Sequence, residues 1–239
     1  MPPSFFSTPV ARLIVAPPEA VESDVLAVPV FTDDRDREIV DLPDVLAQEI
    51  RALLAAGEFK AEPCDIMWTR VQDWRTPRVL LVGAGERDEA TPRLVRRLAT
   101  AAGLATRARR QSRVVLLLRD TLPAEPYAGV AIEGLTLAAF NVDAYRSTPS
   151  KLAVLEEIGV TATGGSAETL ADAVERGRVL GEATNIARGL AHEPPNVLTP
   201  AALAERMRAL LTEAGIEVDV LDDPGGDIAR LIAEPLCQG

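Results

Sequence analysis

The stretch Arg113-Val114-Val115-Leu116-Leu117-Leu118 decides the fold class, because five apolar residues follow one another over the length of a single strand. An unbroken apolar run of this length is typical of a strand that is covered on both faces, as in a parallel sheet packed between helices. A second run, Asp24–Phe31 (DVLAVPVF), is also short and rich in β-branched residues. Both runs predict strands, and the first predicts a sheet with two covered faces.

Strand and helix patterns alternate along the rest of the chain. Short runs bounded by turn residues predict further strands at Arg12–Val15, Asp65–Thr69, Arg78–Val82, Leu152–Ile158 and Ile216–Leu221. Capping residues and apolar spacing predict helices at about 41–56, 91–110, 127–140, 166–191 and 199–214. This alternation predicts an α/β fold with a mostly parallel or mixed sheet flanked by helices.

The second of these helices has two different faces. Its apolar side consists of Leu94, Leu98, Ala101, Ala102 and Ala105. Its other side carries arginines, which we expect to face solvent: Arg93, Arg96, Arg97, Arg107, Arg109 and Arg110. A nucleic-acid surface is the alternative interpretation, but the formal charge of the chain is 25 − 36 = −11. Phosphate binding needs concentrated positive charge, so the net charge favours the solvated helix face.

The composition of the chain restricts the cellular compartment and the kinds of partner that we expect for it. Apolar residues make up 47% of the chain and charged residues 26%, which is typical of a globular protein. The negative charge disfavours anionic membrane surfaces, and no run approaches the roughly 20 apolar residues that span a bilayer. The N-terminus lacks the pattern of a signal peptide, and Cys64 and Cys237 are expected to be reduced thiols. We therefore expect a cytoplasmic protein that binds neither nucleic acid nor membrane.

Three features resemble catalytic or binding elements, but each fits a structural interpretation better. The one histidine, His192, ends the long helix without further metal ligands nearby, so we expect it to face the negative end of the helix dipole. Gly83–Asp88 lacks the third glycine of a dinucleotide-binding loop and carries two carboxylates, so it predicts a tight strand-to-helix turn. Asp33–Glu38 lacks the glycine and the final glutamate of a calcium loop, so it predicts a polar loop.

The most specific pattern follows the long helix, within Ala183–Asp222. It is Glu193-Pro194-Pro195-Asn196-Val197-Leu198-Thr199-Pro200, in which two prolines stop one helix and a Thr-Pro pair starts the next. This segment resembles the leucyl aminopeptidases, the cytosolic two-metal family, in which a long connecting helix ends in a similar turn. Looser agreement in the same order extends the resemblance over nearly the whole chain, at Asp24–Phe31, Gly57–Lys60, Val82–Gly85 and Glu133–Ser147.

The resemblance implies the reaction of the family, but the residues that carry out this reaction are not found in the sequence. Catalysis in that family uses two divalent metals, zinc or manganese, held by a lysine, aspartates and a glutamate, with a second lysine and an arginine assisting. Those residues belong to a Gly-x-Thr-Phe-Asp-like segment and an Asn-Thr-Asp-Ala-Glu-Gly-Arg segment, and neither occurs in this sequence. Lys60 and Lys151 lie outside any such motif. We therefore expect no catalytic, metal-binding or cofactor-binding residue in this chain.

The resemblance also implies that the chain consists of three parts. Residues 1–160 are expected to form a macro-domain-like N-terminal domain, residues 161–196 a connecting helix and Pro-Pro turn, and residues 197–239 the first helix and strand of a truncated catalytic domain. In the family the N-terminal domain helps to assemble a hexamer. The expected function is thus a non-catalytic assembly part that joins further copies or a full-length paralogue. The turn residues then have a structural role: Glu193, Pro194, Pro195, Asn196, Thr199 and Pro200.

Two alternatives to this function stay open. The chain could be a stand-alone macro-like module that binds ADP-ribose or a related nucleotide, with Gly83–Asp88 as its one candidate cradle. It could also be a regulatory subunit of a full-length paralogue.

Overall fold

A computed structural model describes residues 7–119, 124–141, 143, 152–162 and 166–220. The strands are β1 (Val10–Ile14), β2 (Val25–Phe31), β3 (Ile66–Thr69), β4 (Val79–Gly85), β5 (Arg113–Leu118) and β6 (Glu157–Ala162). The α-helices are α1 (Asp44–Ala56), α2 (Pro92–Ala108), α3 (Ala124–Ala138), α4 (Ala167–His192) and α5 (Pro200–Glu213). Short 3-10 helices lie at Pro18–Ala20, Thr32–Arg35 and Arg87–Glu89.

The six strands form one mixed sheet in the order β1-β6-β5-β2-β4-β3. Five strands run parallel, and the edge strand β3 is antiparallel to β4, with Ile66 opposite Val82. Along β2, successive side chains enter two different cores, because strand residues alternate between the two faces of a sheet. Val25 and Ala27 pack with α2 and α3, whereas Leu26 and Val28 pack with α1. The predicted α/β fold, a mixed sheet flanked by helices, is confirmed.

Local capping signals position the helices as the sequence indicates. Thr91 precedes α2 and accepts a hydrogen bond from the Leu94 amide at 3.3 Å, and Pro92 is the first residue of the helix. Gly57 ends α1 with a φ of 72°, a left-handed conformation that glycine adopts at little cost. Both arrangements satisfy backbone groups that a helix end leaves unpaired.

Two strand predictions need correction. The strand expected at Leu152–Ile158 is β6, which starts at Glu157 because its neighbours β1 and β5 begin opposite that residue. Residues 216–220 form no strand, and Leu221 lies outside the described residues. The alternating pattern of Ile216–Leu221 is not sufficient, because a strand needs a neighbouring strand to pair its backbone groups.

The face of α2 also differs from the prediction. Val95 and Ala99 are buried, while Leu94, Ala101 and Ala105 are half-buried, so the buried face is rotated relative to the predicted one. Arg107, expected on the solvated side, is buried. Its guanidinium donates hydrogen bonds to backbone carbonyls beyond α3 and before β6, which satisfies a charge that burial would otherwise make costly.

The chain divides into two compact units, Met1–Gly189 and Leu190–Gly239. The first, unit 1, contains the sheet, the two apolar cores and most of α4. In the second, unit 2, none of the described residues 190–220 is buried. No helix in the described part of the chain is both long and apolar enough to cross a membrane.

Candidate functional site

The carboxyl ends of β4, β2 and β5 form the position where an open α/β sheet commonly binds a ligand. These three strands are neighbours and parallel, and the chain passes from β4 across β2 to β5, so the strand order reverses around β2. Ligands of such folds bind at this reversal point, beyond the strand ends. Here the segments that leave the three strands bring together charged side chains, which we call the arginine–aspartate cluster: Asp33, Asp34, Asp41, Arg87 and Arg119.

Asp34 lies at the centre of this cluster and is 1% exposed. One of its carboxylate oxygens accepts a hydrogen bond from the Phe31 amide at 2.9 Å and forms an ion pair with Arg119. The other accepts a hydrogen bond from Arg87 Nη2 at 2.6 Å. A single buried carboxylate therefore connects the segments that follow β2, β4 and β5. The sequence predicts a polar loop at Asp33–Glu38, whereas residues 33–35 belong to a 3-10 helix and Asp34 is buried.

Arg119 completes its pairing with Asp41. Its Nε and Nη2 donate to the two carboxylate oxygens of Asp41 at 2.8 and 2.6 Å, the bidentate geometry that favours arginine over lysine. Burial, the largest single influence, raises the pKa of Asp41, but the hydrogen bonds and charge of Arg119 outweigh it and the net pKa is lowered. Burial alone would lower the pKa of Arg119. The hydrogen bonds and charges of Asp41 and Asp34 outweigh this effect, so the pKa of Arg119 is raised overall. Asp41 and Arg119 thus hold each other in their charged forms.

Arg87 closes the other side of the cluster. Its Nε donates to the carboxylate of Asp33 at 3.2 and 3.3 Å, and its guanidinium carbon lies 4.2 Å from the centre of the Phe31 ring. That distance is within the range of a cation–π contact. The basic group that Gly83–Asp88 might have offered to a phosphate is therefore engaged by two aspartates.

The glycines of Gly83–Asp88 have a packing role. Gly83 and Gly85 belong to β4 itself, so the predicted turn starts later than expected. A Cβ on Gly83 would overlap the backbone oxygen of Glu62, because residues 61–63 cross close over the strand. The Gly83 carbonyl accepts a hydrogen bond from the Cys64 amide at 2.8 Å, which fixes this crossing.

The predicted structural turn lies between α4 and α5. The Pro194 carbonyl accepts hydrogen bonds from the amides of Val197 at 2.8 Å and Leu198 at 3.0 Å, so the chain turns tightly after the prolines. Thr199 caps α5 by accepting a hydrogen bond from the Ala202 amide at 3.3 Å, and Pro200 is the first helical residue. Glu193 forms an ion pair with Arg206, while Pro195 and Asn196 are exposed.

The remaining sequence candidates are spread over the described surface. His192 is the last residue of α4 and is exposed, Cys64 is a half-buried free thiol, and Lys60 is exposed. Lys151 and Cys237 lie outside the described residues. Within the described ranges, no three histidine, cysteine, aspartate or glutamate side chains are grouped so that they could hold a metal ion. Those residues do not fit a two-metal centre, and we derive no catalytic step through one.

Sequence reasoning missed a polar network at the end of α3. Asn185 Nδ2 donates to the Thr136 carbonyl at 2.8 Å, and Arg188 Nη1 donates to the Leu137 carbonyl at 3.2 Å. Burial lowers the pKa of Arg188, as it does that of Arg107. These side chains, from α4 and α2, satisfy carbonyls that the end of α3 leaves unpaired. The period-four spacing of Gly177, Gly181, Asn185 and Gly189 is the sequence signal that could have located the network.

Comparison with known sequences decides the family. Residues 27–149, more than half of the chain, match the sequence model of the cytosol aminopeptidase family, N-terminal domain. The chain belongs to this family. It is 32% identical over 203 residues to a probable cytosol aminopeptidase of Solibacter usitatus, covering 84% of this chain and 40% of the relative. It is 34% identical over 223 residues to the probable cytosol aminopeptidase of Mycobacterium marinum, covering 87% and 42% respectively.

Solved structures of this family's fold agree with the mixed sheet. The bottromycin maturation enzyme BotP, also solved in complex with Mn, superimposes with a TM-score of 0.65 at 29% identity, over 85% of this chain and 40% of BotP. A mutant of tomato leucine aminopeptidase gives a TM-score of 0.73 at 21% identity, over 89% and 44% respectively. The latter shows the fold alone. The chain spans about two fifths of the length of these curated relatives and solved structures.

Proposed function

We propose that these 239 residues are the non-catalytic, N-terminal assembly part of a leucyl aminopeptidase-like protein. The observation that carries the proposal is the match of residues 27–149 to the N-terminal domain of the family in particular. In this proposal the reaction of the parent family, two-metal removal of N-terminal residues from peptides, takes place on residues that this chain does not supply. The location would be cytoplasmic, and the metals would be zinc or manganese.

The proposed division of labour follows from what each part contributes. Residues 1–160 would supply the assembly surface towards further copies or a full-length paralogue, and residues 161–196 would connect it through α4. Residues 197–239 would form the start of the catalytic part. Asn185 and Arg188 support the connecting role of α4, because their hydrogen bonds to α3 carbonyls attach the helix to the sheet domain.

The arginine–aspartate cluster argues against the nucleotide-binding alternative. A diphosphate needs unpaired backbone N–H groups and positive potential at the strand ends. At that position Arg87 and Arg119 are already paired with Asp33, Asp34 and Asp41. A nucleotide would have to break these ion pairs and approach three carboxylates. We accordingly expect calorimetry with ADP-ribose to show no micromolar binding.

An activity assay with the purified full chain tests the proposal. Leucine-p-nitroanilide is offered with manganese or zinc, beside a complete leucyl aminopeptidase as positive control and a chelator-treated sample as blank. We expect no hydrolysis above the blank. Metal-dependent turnover that co-elutes with the 239-residue chain, at its own mass, would contradict a non-catalytic role.

A further inference from the structure

Strand β3 leaves one edge of the sheet without a partner strand. It is the last strand in the sheet order, and among the described residues only β4 pairs with it. Antiparallel strands alternate between residue pairs that exchange hydrogen bonds and pairs that do not. The Gly83 amide donates to the Asp65 carbonyl at 2.8 Å, so these two residues form a pair of the first kind. By alternation, the N–H and C=O groups of Ile66 and Trp68 point away from β4, along the outer edge of β3.

The opposite edge strand, β1, is protected against further pairing, whereas β3 is not. The middle residue of β1 is Arg12, whose side chain is 58% exposed and forms an ion pair with Glu157. Charged side chains on an edge strand are a common way to prevent pairing with another chain. The four residues of β3, Ile66–Thr69, include no charged residue and no proline, and Ile66 is 36% exposed. The edge of β3 is therefore suited to binding an extended segment.

The residues of β3 are complementary to themselves when two copies run antiparallel. With Met67 on a two-fold axis, Ile66 of each copy lies opposite Trp68 of the other copy, on the same face of the sheet. The outward backbone groups of Ile66 and Trp68 then form four hydrogen bonds between the copies. An aromatic side chain opposite a β-branched one is a favourable cross-strand pair, and the symmetry creates this pair twice. A register shifted by two residues would instead place Arg70 opposite Ile66.

The side chain of Trp68 is already held in place for this contact. The guanidinium carbon of Arg109 lies 5.0 Å from the centre of its ring, which is within the range of a cation–π contact. Trp68 also packs against the apolar core that lies between the sheet and helices α2 and α3. A side chain that is ordered before binding loses less conformational entropy on binding. The edge of β3 therefore presents a fixed apolar surface beside its free backbone groups.

We propose that β3 binds β3 of a second copy of this chain in an antiparallel pair with two-fold symmetry, which joins two six-stranded sheets into one. The proposal rests on the assembly role of residues 1–160, which include β3, and it names one surface that performs this role. β3 also lies within residues 27–149, the part that matches the N-terminal domain of the family. The contact needs no residue of unit 2.

Disulfide cross-linking of the full chain tests the partner and the register together. Met67→Cys places two thiols opposite each other across the two-fold axis, at a position where the side chains of an antiparallel pair approach most closely. Thr69→Cys is the matched control, because in this register its two thiols are offset by four residues, about 13 Å along the strand. Both variants also carry Cys237→Ser, and mass spectrometry locates the disulfide. We expect a covalent dimer linked through position 67 and none linked through position 69.

Sedimentation equilibrium measures the same pairing without a covalent bond. Ile66→Lys places a charge opposite Trp68 of the other copy and removes two cross-strand pairs. We expect the dissociation constant of the dimer to rise by roughly twofold to thirtyfold. Val10→Lys is the matched control, because Val10 is a 56% exposed residue of the other edge strand, and it should leave the dissociation constant unchanged. Circular dichroism checks that both variants fold like the unsubstituted chain.

The pattern of results separates this pairing from the assembly role in general. Association that Ile66→Lys does not weaken, or a covalent dimer that forms as readily with Thr69→Cys, would overturn the β3 pairing and leave assembly to another surface of residues 1–160. A chain that is monomeric at all concentrations measured, and that forms no disulfide with Met67→Cys, would overturn both the pairing and the assembly role. The hydrolysis assay tests the non-catalytic role independently of these results.

Discussion

Unit 1 and unit 2 use apolar side chains in different ways. In unit 1, both faces of the sheet are covered, and β2, β4 and β5 are buried along almost their entire length. In unit 2, the described residues include exposed leucine, methionine and isoleucine side chains and no buried one. The apolar pattern of the helices is similar in the two units, so the difference among the described residues lies in whether neighbouring elements cover the apolar side chains.

Helices α2 and α5 show the same difference in burial, although both helices begin in the same way. Each begins after a Thr-Pro pair, and in each the threonine hydroxyl accepts an amide hydrogen bond at 3.3 Å. Only α2 then buries its apolar face, with Leu98 and Ala102 inside the core. A cap therefore fixes where a helix starts, while the free energy that holds the helix comes from tertiary burial.

The largest expected effect concerns the arginine–aspartate cluster of unit 1. Arg119→Met leaves the buried carboxylates of Asp34 and Asp41 without their main partner, which should lower the free energy of unfolding by about 3–5 kcal/mol. Chemical denaturation measures this loss. The control is Arg178→Met, because Arg178 also pairs with two carboxylates but on a partly exposed face of α4, where its side chain is 29% exposed. We expect the control to cost less than about 1 kcal/mol, and equal losses would contradict a structural role for the cluster.

Truncating one leucine in each unit tests the difference in burial between the two units directly. Leu98→Ala removes a side chain that is 1% exposed and should cost about 2–5 kcal/mol, because it leaves a cavity between α2 and the sheet. Leu203→Ala removes one that is 38% exposed and should change the free energy of unfolding by about 0.5 kcal/mol or less. Denaturant titrations of the two variants, at concentrations too low for association, make the comparison. A loss at Leu203 as large as that at Leu98 would show that unit 2 has its own core.

A smaller effect is expected in acid, through Asp41. Its pKa is lowered from an ordinary value of 3.8, because the ion pair with Arg119 outweighs the effect of burial. A carboxyl with a lowered folded pKa stabilises the protein fully above its unfolded pKa, and this contribution is lost as the pH falls through the folded pKa. The free energy of unfolding should therefore decrease as the pH falls below 3.8. Asp41→Asn should be less stable at neutral pH and show a shallower decrease, whereas parallel curves would contradict the assignment.

The sequence could predict the fold because the decisive signals are local. The run Arg113–Leu118, the Thr91-Pro92 cap and Gly57 each specify an element without reference to the rest of the chain. The strand predicted at Ile216–Leu221 is wrong for residues 216–220, because strand formation depends on pairing that a local pattern does not encode. The start of β6 at Glu157 depends on pairing in the same way, because β1 and β5 both begin opposite that residue.

The candidate site was much less accessible to sequence reasoning. Arg119, Asp34 and Arg87 are far apart along the chain, and only the order of the parallel strands brings them together. The sequence places Arg107 on the solvated, arginine-rich face of α2, whereas its guanidinium donates hydrogen bonds to the carbonyls of residues 138, 140 and 153. One signal is available in the sequence. Arg119 directly follows the buried strand β5, so it lies at the carboxyl end of that strand.

Hydrogen exchange of the native chain, followed by mass spectrometry at low protein concentration, tests the central claim most directly. The claim is that stability resides in the sheet domain of unit 1 and that residues 190–220 add no buried core. We predict the slowest exchange in β2, β4 and β5, and exchange in α5 that is faster than in α2 by several orders of magnitude, because opening α5 exposes little new apolar surface. Amides of α5 that are as protected as those of α2 in a monomeric chain would contradict the account.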